Sequence, residues 1–324
     1  MPDNDALIHA MLLDGQGSGR DLDWAAVNRW QPEQGILWAH LDYSQSQAEK
    51  WLTEESGLDP IVYEALLSGE TRPRATRYKN GLLLALRGVN LNPGAEPDDM
   101  VSLRLWVEPG RVISTRKRKL LSVTDVANEL RAGEGPCAAD GILLALLEKL
   151  ILRMSDTVDN FEDCVADFEE RALEVQDAQM RMDLAKVRRQ IISLRRYLSP
   201  QREAISQLLT EKVDWFDPEF KLRMQETQDR LIRHIEDLDA VRERAAVTQE
   251  EIGNHLAEQM NKRMYVLSIV AAFFLPLGFL TGLLGINVGG IPGAESDLGF
   301  GVFIVLLILI LTLQILWFRK KGWL

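Results

Sequence analysis

Residues 264–284 read MYVLSIVAAFFLPLGFLTGLL, and residues 298–318 read LGFGVFIVLLILILTLQILWF. The phenol of Tyr265 is the only ionisable side chain in either stretch. Each stretch has the length, about 20 residues, that a helix needs to cross the hydrocarbon core of a bilayer. Two such segments in succession, each flanked by charge, favour membrane spans over buried core helices. The sequence therefore predicts two transmembrane helices joined by a short loop over residues 285–297.

The charges that flank the two segments predict their orientation. Basic side chains lie before the first span and after the second: Lys262, Arg263, Arg319, Lys320 and Lys321. The loop between the spans has no Lys or Arg and carries two acids, Glu295 and Asp297. Because Lys and Arg are retained on the cytoplasmic side, we expect both termini in the cytoplasm and the loop on the outer side of the cytoplasmic membrane.

The rest of the chain has the character of an acidic soluble protein. The 324 residues carry a formal net charge of −11, and the first 261 carry 32 basic and 46 acidic side chains. The N-terminus lacks the basic start and apolar stretch of a signal peptide. The two cysteines, Cys137 and Cys164, have no metal-finger or redox-pair spacing, which indicates a reduced compartment. We therefore expect a cytosolic body, with an α/β domain over residues 1–175, a helical stalk over 176–262 and a transmembrane pore domain over 263–324.

The pattern of the body predicts an α+β membrane protein with an N-terminal α/β domain. Five apolar or alternating runs predict strands, over residues 8–13, 36–41, 82–89, 101–107 and 111–115. Asn80-Gly81 and Pro109-Gly110 are turn signals. Helices are predicted over residues 46–54, 60–67 and 122–132. From about residue 138 to residue 260 the pattern is helical, with breaks at residues 176–180, at Ser199-Pro200 and at residues 215–218.

The first span carries a stripe of residues at steps of three or four. Its members are Asn261, Met264, Leu267, Ala271, Leu275, Gly278 and Gly282. Small residues let helices approach closely, so the stripe fits either a packing seam or the lining of an aqueous path. Two helices cannot enclose such a path alone. A protein of this kind that conducts ions must therefore be an oligomer, with the first span in the inner ring.

One long helix leads into the first span. No proline occurs between Pro218 and Pro276, so the helix is predicted to run from about Glu219 through the span. A heptad seam with polar interruptions repeats along it: Leu231, Ile235, Leu238, Arg242, Ala245, Gln249, Ile252 and Leu256. Such a seam packs helices either within one subunit or around an axis. The annular arrangement suits the oligomer, and we expect a funnel or stalk that leads to the membrane.

Two groups of side chains are candidate cytosolic metal ligands. Asp163, Cys164 and Asp167 lie together at helical spacing, and His255 has Glu251 and Glu258 on its own helix face. His234 lies beside the heptad seam. Zinc prefers nitrogen and sulfur donors, so a divalent-cation site is one interpretation. The pattern favours the other interpretation, an ordinary solvated face.

The sequence carries no signature of an enzyme. HExxH, Walker, GxGxxG, CxxC and GxSxG motifs are all missing, and no nucleophile–base pair is recognisable. The basic run 116–119 is short and is typical of a turn rather than a nucleic-acid surface. We predict no enzymatic activity, no cofactor and no nucleic-acid partner.

The first span ends in Gly285-Ile286-Asn287. Glycine allows a tight turn there. In a ring of identical helices, Asn287 would place several neutral amide oxygens around the axis. Such oxygens can hydrogen-bond to the water shell of a hydrated cation without removing it. The chemistry of the residues therefore indicates a hydrated divalent cation, with Glu295 and Asp297 adding a negative field outside.

The whole chain resembles the CorA metal ion transporter family, most clearly over residues 261–318. The resemblance rests on the acidic α/β domain, the long helix into the membrane, N-x-x-M at 261–264, F-L-P-L at 274–277, G-I-N, the short loop and the terminal R-K-K. Magnesium members usually have Gly-Met-Asn. This chain has Ile286 at the middle position, followed by VGGIPG, and that departure resembles the ZntB zinc transporter branch.

The resemblance implies a homopentamer with a cytoplasmic funnel and one axial pore. It also implies that Gly285, Ile286 and Asn287 form the entry filter and that residues 319–321 surround the inner mouth. The residues carried over as pore lining are Asn261, Met264, Leu267, Leu275, Gly278 and Gly282. The expected cargo is zinc, taken up by proton symport. A magnesium channel, a zinc exporter and a membrane-anchored metal sensor are the alternatives.

Overall fold

The computed structural model describes residues 6–69, 72–174, 178–285 and 296–322. It has two compact units, Met1–Glu250 and Glu251–Leu324. The first unit is built on a seven-stranded sheet, and its strands are β1 Leu7–Leu13, β2 Gly19–Asp21, β3 Ile36–Asp42, β4 Arg74–Tyr78, β5 Gly81–Gly88, β6 Val101–Glu108 and β7 Arg111–Arg116. The five predicted strands are confirmed.

The sheet is mixed, with the strand order β2-β1-β3-β7-β6-β5-β4. Only β3 and β7 pair in parallel, and the other neighbours are antiparallel. The Pro109-Gly110 turn joins β6 to β7, with Glu108 opposite Arg111. The β3–β7 crossover brings the N-terminal and the central strands into one sheet.

Helices cover both faces of the sheet. The short helices α1 Trp24–Asn28, α2 Ser46–Lys50, which continues as a π-helical turn Trp51–Glu55, and α3 Pro60–Leu67 share a core with Leu83, Trp106 and Ile113. The alternate strand residues Leu82 and Leu84 are also buried, and the strands contact α4 Leu121–Ala132, α5 Ala139–Glu174 and α6 Ala178–Thr210. Burial on both faces explains why the strands read as continuous apolar runs.

The sequence patterns missed β2 and β4, which are the two edge strands. The sequence of β4 is RATRY and that of β2 is GRD. Edge strands lack one neighbour and are commonly charged, so neither shows the apolar signal of the central strands. The residues between β4 and β5 are Lys79 and Asn80, since Tyr78 pairs with Gly81.

The predicted helix break at Ser199-Pro200 is wrong. Helix α6 runs through Pro200 without interruption. A proline inside a helix removes one backbone hydrogen bond, but one face of the helix is fully buried on either side of it, at Leu198, Gln201 and Ile205. Their burial along one face holds the helix together across the missing bond. The breaks near residues 176 and 215 are confirmed by the ends of α5, α6 and α7.

Helix α7 spans Pro218–Leu284, 67 residues, as the sequence predicted. Its heptad seam packs inside the subunit, because Leu231, Ile235, Leu238 and Ala245 are buried in the single chain. Side chains of α5 and α6 meet it, with Arg244 bonded to Glu169 and Arg188 bonded to Gln249. The annular interpretation of this stretch of the seam is therefore replaced by the intrasubunit one.

Candidate ion-conduction site

Within the described residues, two helices are long and apolar enough to cross a membrane, and the second unit contains both as the end of α7 and α8 Gly299–Lys320. The apolar window of neither helix is buried within the chain. Exposed apolar surface of this extent is unfavourable in water and is typical of helices that face lipid or other copies. The helix ends agree with the predicted spans.

Helices α7 and α8 contact each other along one face of each. The phenyl rings of Phe273 and Phe318 lie 5.0 Å apart, centroid to centroid. The partly covered side chains of the span in α7 are Ile269, Ala272, Phe273, Leu277 and Leu280. Those of α8 are Phe303, Leu307, Ile310, Gln314 and the buried Phe318. Apart from the adjacent pair Ala272 and Phe273, these positions recur at steps of three or four, so one largely apolar seam holds the two helices together.

The predicted pore stripe lies on the opposite face of α7. Leu275 is 76% exposed, Leu267 65% and Met264 60%. The other members, Asn261, Ala271, Gly278 and Gly282, are also exposed. At about 100° per residue, the stripe centres roughly 180° from Phe273. The stripe is therefore not the seam with α8, and among the described residues nothing in the chain covers it.

The outward end of α7 shows why glycine stands there. The Gly285 N–H donates to the Thr281 carbonyl at 2.9 Å. A Cβ at residue 285 would lie 2.8 Å from that carbonyl oxygen, so a larger residue would disturb the last turn. Ile286, Asn287 and Glu295 lie outside the described residues. Asp297 is exposed just before α8 begins.

Basic residues mark the other end of both helices. Arg319 and Lys320 form the last turn of α8, and Lys321 is its C-cap; all three are exposed. Cations are favourable at a helix C-terminus because the backbone carbonyls there carry partial negative charge. On α7, Lys262 pairs with Glu258 at 2.8 Å. These charges bracket the apolar segments as the sequence led us to expect.

The first group of candidate metal ligands lies on α5. Asp163 and Asp167 are exposed, and Asp167 pairs with Arg171 at 3.2 Å. Burial, together with the nearby Asp167 carboxylate, raises the pKa of the Cys164 thiol. Zinc binds the thiolate rather than the thiol, so these surroundings do not prepare Cys164 as a ligand.

The remaining candidates lie on α7 and stay apart. His234 is buried, its Nε2 lies 3.3 Å from Ser155 Oγ, and burial lowers its pKa. Glu251 and His255 are exposed, and the Lys262 ammonium lowers the pKa of Glu258 by hydrogen bonding. Across the described ranges, no three His, Cys, Asp or Glu side chains converge into a metal-binding group. A cytosolic metal site thus stays a prediction from sequence.

One polar residue of the second unit was not recognised as a candidate functional residue from the sequence. Gln314 lies in the α7–α8 seam, and its Oε1 is buried without a hydrogen-bond partner among the described residues. It is the only carboxamide in either apolar segment, and that rarity was a signal in the sequence.

Comparisons with known proteins agree with the architecture. The family model of the CorA-like Mg2+ transporter protein matches residues 33–320. The "Divalent cation transporter CmaX" of Pseudomonas aeruginosa is 41% identical, over 99% of this chain and 98% of that protein. The "Zinc transport protein ZntB" of Cronobacter sakazakii is 38% identical, over 99% of this chain and 96% of that protein.

A solved structure extends the likeness to three dimensions. The structure of the full-length CmaX protein superposes with a TM-score of 0.86 at 40% sequence identity, over 99% of both chains. The likeness therefore includes the soluble α/β unit, the long helix and both candidate membrane helices. Relatives of this kind are named for ion transport, in agreement with the prediction that the chain is not an enzyme. The chain belongs to the CorA-like transporter family.

Proposed function

We propose that this chain transports divalent cations, with zinc as the principal cargo, across the cytoplasmic membrane through the axial pore of a homopentamer. The observation that carries the proposal is the exposed stripe of α7, on the face turned away from α8. The names of relatives that match nearly the whole chain support cation transport, and several of them name zinc.

The two faces of α7 support an oligomer. One face is covered by α8 and the other presents Met264, Leu267, Leu275 and two glycines with no cover from the chain. Placing that face around an axis puts α7 in an inner ring and α8 in an outer ring toward lipid. The apolar side chains of the stripe form constrictions that gate by losing water. The glycines keep the path between them wide.

The entry filter is the ring formed by Gly285, Ile286 and Asn287. Amide oxygens of Asn287 accept hydrogen bonds from the water shell of the ion, so the ion enters hydrated. Glu295 and Asp297 concentrate cations outside, and the acidic cytosolic body concentrates them inside. The basic residues 319–321 surround the inner mouth on the cytoplasmic side, where both termini also lie.

Uptake is coupled to protons in this proposal, although neither span offers a side-chain relay. The two segments contain no Asp, Glu, His, Lys or Arg, which are the residues that usually carry protons inside membranes. Protons must then move with the water column or through groups outside the spans.

Passive magnesium or general divalent conduction is the second candidate, and it is favoured by the magnesium name of the family and by the divalent-cation name of CmaX.

Zinc flux into proteoliposomes tests the proposal. The protein is reconstituted into vesicles that contain a zinc indicator, and uptake is compared for the native chain and for Asn287→Ala. Asn254→Ala is the matched control, since Asn254 is exposed on the same helix before the span. We expect Asn287→Ala to change the flux and Asn254→Ala to leave it unchanged. Equal flux in all three proteins would refute the role of Asn287 in an entry filter.

The same vesicles separate the cargo and the coupling. An acidic buffer outside the vesicles should accelerate zinc uptake, and a protonophore should abolish that acceleration. Zinc flux that does not change with the pH gradient would refute proton symport and would support passive conduction. Magnesium flux that persists at micromolar zinc, with zinc flux blocked by millimolar magnesium, would establish the magnesium channel instead.

A further inference from the structure

The α7–α8 seam contains one polar side chain among apolar ones. Gln314 stands between Ile310 and Phe318 on the face of α8 that contacts α7. Its Oε1 is buried and lacks a hydrogen-bond partner in the described part of the chain. A buried carboxamide oxygen without a donor costs free energy, above all in hydrocarbon, where water cannot replace the donor. Since the oxygen and nitrogen of a carboxamide are distinguished by their hydrogen bonds, the same position also suits the NH2 group, which would then need an acceptor on α7.

Helix α7 has an unpaired backbone group in the same span. Pro276 lies inside α7 and carries no N–H, so the carbonyl of Ala272, four residues earlier, loses its helical partner. Ala272 is partly covered, on the side of α7 that faces α8. Prolines persist in membrane helices where a neighbouring helix, a side chain, an ordered water or a local change of helix geometry satisfies the carbonyl that they free.

The contact between the phenyl rings of Phe273 and Phe318 fixes the level of both features. The two helices run in opposite directions because a short segment joins them. Gln314 lies four residues from Phe318 and Leu277 lies four residues from Phe273, and each step is about 6 Å along its axis. Gln314 therefore lies near the level of Pro276 and Leu277, within reach of the turn that the proline interrupts.

We propose that Gln314 is a positioning residue whose carboxamide donates to the Ala272 carbonyl freed by Pro276, so that α8 stabilises the turn of α7 that the proline interrupts. The last torsion of a glutamine is broad and roughly two-fold, so a half-turn places the NH2 group where Oε1 now lies. The hydroxyl groups of three other side chains in the spans do not compete for this carbonyl. Ser268, Thr281 and Thr312 each donate to a carbonyl of their own helix, three or four residues earlier.

A double-mutant cycle tests this inference in the full-length protein in lipid nanodiscs. Gln314→Leu removes the donor and replaces the carboxamide by an apolar side chain of similar size. Pro276→Ala restores the backbone N–H that the Ala272 carbonyl needs, so this carbonyl no longer requires a hydrogen bond from Gln314 in that background. We expect Gln314→Leu to lower the thermal midpoint by about 2–4 °C in the native chain and to have little effect beside Pro276→Ala.

Thr312→Val is the matched control, because Thr312 donates to the Ile308 carbonyl of its own helix at 2.7 Å. Its effect should be the same with and without Pro276. Equal shifts for Gln314→Leu in the two backgrounds, or no shift in the native chain, overturn the inference. The rate of zinc flux should follow the same non-additive pattern. A chain that carries no zinc but keeps the thermal coupling refutes the proposed function and leaves this inference standing.

Discussion

Lowering the pH should destabilise the soluble unit through a histidine pair inside the sheet. His9 on β1 lies opposite His40 on β3, and their rings stack 6.2 Å apart. Burial, followed by the nearby Arg131 and Arg116 guanidinium groups, lowers the pKa of His9 to about 4. Burial also holds the pKa of His40 well below its usual value, while its Nδ1 lies 2.8 Å from Ser114 Oγ.

The sign and size of this change in stability follow from the difference in the His9 pKa between the folded and unfolded states. A histidine with a lowered pKa binds its proton more weakly in the folded protein, so stability is full above about pH 6.5 and falls as the pH drops toward 4. For His9 alone, the pKa difference corresponds to about 2 kcal/mol at pH 5 relative to pH 8. The ring is only half-buried, so solvent screening reduces this to roughly 1 kcal/mol.

Thermal midpoints of the full-length protein between pH 8 and pH 4.5 measure this effect. His9→Gln removes the titrating group, so its stability relative to the native chain should rise as the pH falls below 6.5. Asn254→Gln is the control, since Asn254 has no titrating group and is exposed on α7, and its curve should run parallel to that of the native chain. A His9→Gln curve that also stays parallel over the whole range would refute the assignment.

Three further predictions test the fold, the first of them with a control variant. Leu238→Ala should cost about 2–5 kcal/mol of unfolding free energy because the side chain is fully buried, whereas Val247→Ala, at an exposed position, should cost little; equal costs in denaturant titrations would contradict an intrasubunit seam. Pro200→Ala should increase the free energy of unfolding by about 1–2 kcal/mol, and so raise the thermal midpoint, since it restores a backbone donor inside α6. A lower midpoint would show that the fold requires the proline. Gly81→Ala should destabilise by about 1–3 kcal/mol because its Cβ would collide with the Trp106 ring, and a calorimetric scan that matches the native chain would refute that packing.

The parts of the fold that sequence predicted are those with long, uniform patterns. Apolar runs free of charged residues reveal the membrane segments, and the absence of proline between Pro218 and Pro276 reveals one long helix. The central strands are buried on both faces, so their apolar runs are continuous. The edge strands β2 and β4 carry no such pattern, since half of their surroundings is solvent.

The errors arose where tertiary packing overrides a local signal. Pro200 is a helix breaker in isolation, yet buried neighbours on both sides carry α6 through it. The heptad seam of α7 has the same spacing whether its partner is another subunit or the same chain. The burial of the seam within the single chain and the contacts of Arg188 and Arg244 distinguish the two. Gln314 was overlooked because a single amide in an apolar segment has no periodicity.

The reactivity of single cysteines toward a membrane-impermeant, water-soluble thiol reagent tests the central claim most directly. In a chain with Cys137 and Cys164 replaced by serine, one cysteine is placed in turn at Leu267, Leu275 or Gly278 on the stripe, or at Leu309 or Leu313 on the exposed face of α8. Thiols react as thiolates, which form in water and not in lipid. If α7 lines an aqueous axis, the stripe positions react in reconstituted protein and the α8 positions do not. Stripe cysteines as unreactive as those of α8 would contradict the pore.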